Sequence, residues 1–200
     1  MELKFDYAPE SQFYVLRFEA GSYESVPFIR ELRFWGVDRV PCPRLSALAA
    51  LIALKNHPVI AVTLSGVALN PPVCAALTRH FEVEIHPGKY DINRRDLAGG
   101  ERIIAPRRLN DARKASSSVE GAETLTWISL QDLGGPLGGL VRTSVDAFDL
   151  SESDKNLIVA LCCAGKDVGH IVLEDAEPAI ADTLHQIGLE LILPAEAERS

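Results

Sequence analysis

Apolar residues fall along this chain in two spacings, and the spacings alternate in a set order. Leu3, Phe5 and Tyr7 alternate with polar neighbours, the period of a half-buried strand. Residues 13–18 (FYVLRF) are aromatic and β-branched and predict a second strand, joined to the first as a hairpin by a turn through Pro9 and Ser11. Residues 31–35 (ELRFW) predict a third, stopped at Gly36. Leu45, Leu48, Leu51 and Ile52 then recur at helical spacing. The positions between them include alanines and a serine but no acid. This helix is apolar most of the way round, so burial on more than one side is expected. Asn56-His57-Pro58 ends it, because the residue before a proline avoids the α region.

Residues 59–64 read as a compact strand of the kind found inside parallel sheets, and 65–70 as a turn. Asn70-Pro71 supplies an N-cap and a first-turn proline, and Val73, Leu77 and Phe81 give the next helix its stripe. Val83 and Ile85 alternate with Glu82 and Glu84, which predicts a more exposed strand at a sheet edge. Residues 87–109 are irregular, with a short strand at 102–104, and 110–122 (NDARKASSSVEGA) have linker composition. Residues 125–130 and 140–148 read as two strands of a second hairpin, with GGPLGG at 134–139 as its tip. Ser151 and Asp154 form a helix start ahead of Leu157, Ile158 and Leu161, with Gly165 as the terminator. A strand at 170–173, a helix opened by Pro178 and lined by Ile180 and Leu184, and a strand through Leu189, Leu191 and Leu193 complete the chain.

The order helix, strand, helix, strand in 45–87 therefore recurs in 151–194. Pro71 and Pro178, Leu77 and Leu184, Ile85 and Ile192, and Pro87 and Pro194 are each offset by 107; upstream, Leu48 and Leu157, and Leu64 and Leu173, are offset by 109. These matches predict an α/β protein with an internal duplication. Its two similar halves are 1–108 and 122–200, joined by the Ser-rich connector 109–121. Each half is expected to be a small mixed sheet with a β-hairpin followed by helix-strand-helix-strand. The expected core includes Leu48, Leu51, Ile60, Val62, Leu64, Leu77, Leu157, Leu161, Ile171, Leu173, Leu184 and Leu191.

Charge changes this picture. The net charge of −8 is unevenly spread: residues 1–114 hold 16 Lys+Arg against 13 Asp+Glu, and 115–200 hold 4 against 15. Two such halves attract each other or present opposite faces to different partners. The longest apolar run, 45–54, is too short for a bilayer, which takes ~20 residues. No apolar signal core follows Met1. Cys42, Cys74, Cys162 and Cys163 form no C-x-x-C, which fits buried thiols in a reducing cytoplasm.

The candidate chemistry is sparse. Ligands of open α/β sheets bind beyond the carboxyl ends of the strands, and that rule singles out Ser65, Gly66, Asn70, His86 and Lys89 as a ligand pocket. Their context is neither a Walker loop, a dinucleotide fingerprint nor a nucleophile elbow, and a plain turn with a capped helix is the favoured account of them. His80, His86 and Asp91 match no zinc spacing, so no metal is assigned. A basic stretch runs through Arg94, Arg95, Arg102, Arg107, Arg108, Arg113 and Lys114. Arginines suit phosphate, and these are candidates for nucleic-acid or phosphate binding. The favoured account is a solvated linker whose charges meet the acidic second half, since the chain as a whole is acidic rather than basic.

The resulting expectation is a non-catalytic cytoplasmic adaptor or complex subunit, without a cofactor, that binds another protein or its own copy. Binding of nucleic acid or a phosphate ligand through 94–114 stands second. A small enzyme with its site near Ser65 and His86 stands third.

Overall fold

The computed structural model describes residues 1–21, 29–92, 100–109, 119–132, 140–175, 178–186 and 188–193. The protein is α/β. In chain order its elements are β1 (Glu2–Ala8), β2 (Phe13–Glu19), β3 (Glu31–Trp35), α1 (Pro43–Ala53), β4 (Ala61–Leu69), α2 (Pro71–Phe81), β5 (Glu84–Tyr90), β6 (Arg102–Arg108), β7 (Glu123–Ser129), β8 (Val141–Thr143), α3 (Glu152–Cys163), β9 (Val168–Val172), α4 (Pro178–Gln186) and β10 (Glu190–Ile192).

Among the described residues the ten strands belong to one mixed sheet, in the order β10-β9-β6-β7-β8-β3-β2-β1-β4-β5. β1 and β2 form the predicted hairpin through a 3₁₀ turn at Pro9–Ser11, with Phe5 opposite Leu16. β3 continues the meander and pairs antiparallel with β8, where Phe34 faces Thr143, so the sheet is continuous across the middle. The remaining pairs are parallel. The second hairpin is therefore corrected. β7 and β8 run parallel, Trp127 beside Val141 and Ser129 beside Thr143, and a hairpin cannot make that pairing. The glycine-rich 134–139 lies outside the described residues, as do most of the connector and the tail 194–200. β6, which precedes the connector, hydrogen-bonds β7 and β9.

The turn expected at 65–70 is also corrected, because β4 continues to Leu69 and pairs with β5 as far as Tyr90. The strand does break step between Leu64 and Ala68. Gly66 sits in that irregularity at φ +78°, a region where a side chain is strained. β5 follows the detour closely: a Cβ on Gly88 would lie 2.8 Å from the Gly66 nitrogen.

α1 packs on β4 and on α3. The two helices are antiparallel. Lys55, just past α1, pairs with Asp154 in the first turn of α3, while Arg39, ahead of α1, pairs with Asp167, past α3, at 3.3 Å. α2 lies on β5 and α4 on β10, at opposite ends of the strand order, yet α2 and α4 also contact each other. In a flat sheet those strands would be about 43 Å apart, at roughly 4.8 Å per strand. The sheet therefore curls enough for the helices on its two ends to touch. Every residue from Leu45 to Leu54 is buried, as the all-round apolarity of α1 predicts, and so is every residue from Leu157 to Ala164 in α3. One cluster of buried residues runs through both halves of the chain. Of the expected core, Ile60 is the exception, 85% exposed. It precedes the first residue of β4, where the pleat no longer sets which way a side chain faces. Leu191 packs partly buried against the cluster.

Candidate functional site

A concavity forms where α1 begins, so its origin lies in a short piece of sequence. β3 ends at Trp35, and Gly36 at φ +79° turns the chain away. Arg39-Val40-Pro41-Cys42-Pro43-Arg44 then leads into α1, with the two prolines holding the approach extended. Cys42 is the N-cap and makes no side-chain capping bond, and the first turn carries no acid. From the other side come Gly66 and Ala68 of the β4 irregularity, and Gly165, Lys166 and Asp167 after α3. Together they enclose a groove of about 750 Å³, within the range of small-molecule sites.

Its electrostatics run against those of the molecule. The chain carries −8, but the groove is lined by three cations, Arg39, Arg44 and Lys166, and one carboxylate, Asp167. Asp167 is held by Arg39 and, at 2.9 Å, by Arg102, whose Nη1 also donates to the Ala164 carbonyl at 2.8 Å and so covers one end of α3. Partial burial opposes ionisation of Asp167, but the arginines outweigh it and hold the carboxyl below its ordinary range. Arg44 is 13% exposed and donates to Asp91 at 2.9 Å. Lys166 is exposed on the rim. Val40, also on the rim, is largely exposed and gives the groove an apolar lip. A second, smaller cavity of about 250 Å³ adjoins it at Ala68 and is lined by Lys89, Tyr90, Asp91 and Ile92.

The residues proposed from sequence as one pocket are distributed over four places. Gly66 lines the groove and Lys89 the smaller cavity. Asn70 is buried as the α2 N-cap, its Oδ1 accepting from the Val73 amide at 2.9 Å. Ser65 donates to Glu2 at 2.6 Å, and His86 lies 3.5 Å from Glu84. By register, the partners Glu2 and Thr63, and Thr63 and His86, share one side of the sheet, opposite the side of Leu64 and Leu3.

Of the basic stretch, Arg94, Arg95, Arg113 and Lys114 lie outside the described residues. Arg102 pairs with Asp167 and Glu123. Arg108 pairs with Asp146 at 2.6 Å and Glu152 at 3.4 Å, and its guanidinium lies 5.3 Å from the Trp127 ring centroid. Arg107, opposite Thr126, also has a partner. Each acid just named as a partner of Arg102 or Arg108 comes from the second half. Among the described residues no group of three or more His, Cys, Asp or Glu is placed to hold a metal ion.

Arg39, Cys42, Arg44 and Lys166 were not singled out by the sequence. The available signal was a proline-bracketed entry to a helix that lacks both an N-cap side chain and a first-turn acid. What brings Lys166 there is the packing of α3 on α1, across more than 120 residues of chain. No family model, curated protein or solved structure matches the chain.

Proposed function

We propose that this chain is a binding protein, and that the groove at the start of α1 takes a small anion carrying a phosphate or carboxylate. The observation that carries this reading is a groove of ligand size lined by three cations and one carboxylate in an otherwise acidic chain. Its place supports the reading too, since α1 follows the carboxyl end of β3, the side where α/β sheets hold ligands. Cations and prolines supply recognition rather than chemistry. Calorimetric titration with pyrophosphate tests it. Lys166→Ala and Arg39→Ala are each expected to weaken binding about tenfold, the loss of one charge-assisted contact. Bound pyrophosphate is expected to slow alkylation of Cys42, which lines the groove. Undiminished affinity in the double variant refutes the reading.

The adaptor reading is favoured by a different observation. β5 is a terminal strand of the sheet, with Ile60 and Ile92, 85% and 84% exposed, at its two ends. An edge of this kind can accept a strand from a partner protein or a second copy. Pro87 and Lys89 within β5 work against such pairing. Light scattering across a concentration series tests it: a strict monomer that co-purifies with no protein removes this reading.

The duplication belongs to the same proposal. Its support is the strand order, which reads β3-β2-β1-β4-β5 outward from the centre on one side and β8-β7-β6-β9-β10 on the other. The two series differ in the direction of β7, parallel to its neighbours where β2 is antiparallel.

A further inference from the structure

We infer that the groove and the smaller cavity beside it are two parts of one site for an aromatic phosphate, such as a mononucleotide. The Arg44–Asp91 ion pair would be the divider that the ligand opens. This inference rests on the anion-binding reading of the groove. The two concavities share Ala68, and the residues on either side of that point are joined: Arg44 lines the groove, Asp91 lines the smaller cavity, and their side chains meet at 2.9 Å. The divider is anchored, because the Asp91 amide donates to the Leu69 carbonyl at 3.0 Å at the end of the β4–β5 ladder. Chemistry differs on its two sides. The groove offers Arg39 and Lys166 to an anion, and the smaller cavity offers Tyr90, 55% exposed, the one aromatic among the described residues of either lining. A phosphate entering the groove competes with Asp91 for Arg44, since both present oxygens to the same planar donor. Once Arg44 turns to the phosphate, the wall between the cavities is gone and a ring attached to that phosphate can lie on Tyr90. Lys89, in the same lining, offsets the charge of the released Asp91.

The test compares adenosine monophosphate with ribose 5-phosphate by calorimetry on the full chain, since the two differ by the ring alone. The nucleotide is expected to bind about tenfold tighter, the scale of one base stacked on an aromatic side chain. Tyr90→Ala is expected to erase that ratio and leave ribose 5-phosphate binding unchanged. Tyr90→Leu, which keeps apolar bulk without the ring, replaces it if the alanine variant melts. Asp91→Asn is expected to tighten both ligands severalfold by removing the carboxylate that competes with them for Arg44. Equal affinities for the two ligands in the native protein overturn this inference while the anion site stands, as does a ratio unaffected by Tyr90→Ala and Tyr90→Leu. Asp91→Asn with unchanged or weaker binding removes the divider. Failure of both ligands to bind the native protein and Asp91→Asn overturns the anion site and this inference together.

Discussion

Gly66 shows how much of the candidate site depends on one backbone conformation. It sits at φ +78° with open space where a Cβ would stand, so a side chain there meets no clash and only the left-handed backbone is at issue. Gly66→Ala is therefore expected to cost about 1–2 kcal/mol, the penalty of an L-residue in that region, measured as a lower urea midpoint. A larger loss would mean that the groove wall had shifted. Asp167 makes a second point at this scale. Its carboxyl is held below the ordinary range by the arginines around it. A carboxyl lowered in the folded state contributes stability above the unfolded value, near pH 4, and loses it as the pH falls through the lower folded value. The Asp167→Asn protein should thus be less stable than the native one at pH 7, with the gap narrowing toward pH 3. A constant gap would argue that Asp167 acts through packing.

Among the elements, α1 and α3 are the centre of the molecule. The spacing of Leu45, Leu48, Leu51 and Ile52 identifies α1, and the small or apolar residues between them give away its complete burial. Leu48 is fully buried in the cluster that joins the halves. Leu48→Ala is expected to cost about 2–5 kcal/mol, the range for truncating a large aliphatic side chain in a packed core, read by thermal or urea unfolding. Elements set by local chemistry were legible in the same way. Asn70 and Ser151 cap α2 and α3 as their residue types predict, and Gly165 follows α3 at φ +78°. β7 and β8 were not. Their alternation and intervening glycines fit a hairpin as well as a parallel pair, because the period of two says which residues share a face and nothing about strand direction. The extension of β4 past Ser65 was hidden for a related reason: Ser65 and Gly66 have turn composition, and only the pairing of Ala68 and Leu69 with β5 beyond them carries the strand on.

At the scale of the molecule, the uneven charge of the chain finds its account in ion pairs between the halves. Arg39, Lys55, Arg102 and Arg108 of the basic part meet Asp167, Asp154, Glu123 and Asp146 of the acidic part. Most of these pairs are partly exposed, so each adds little alone. Burial is what joins the halves: a continuous sheet across β3 and β8 and one buried cluster. Urea unfolding is accordingly expected to give one transition, coincident by tryptophan fluorescence and far-ultraviolet circular dichroism. Trp127 belongs to the second half and Trp35 to the first, so two separated transitions would show the halves melting independently.

Neighbouring residues along the chain fix the local features of this protein. They set helix against strand, the caps and terminators, the buried character of α1, and the exposed alternation of β5, now the terminal strand. These follow from backbone preferences and from apolar periodicity within a dozen residues. Tertiary structure alone decided strand direction in the second half, the single curled sheet, and the groove. The groove needs Arg39 and Arg44 from before and within α1, Gly66 and Ala68 from β4, and Lys166 and Asp167 from after α3. No local pattern links those three segments. They meet because α1 and α3 pack antiparallel, which brings the start of one helix to the end of the other.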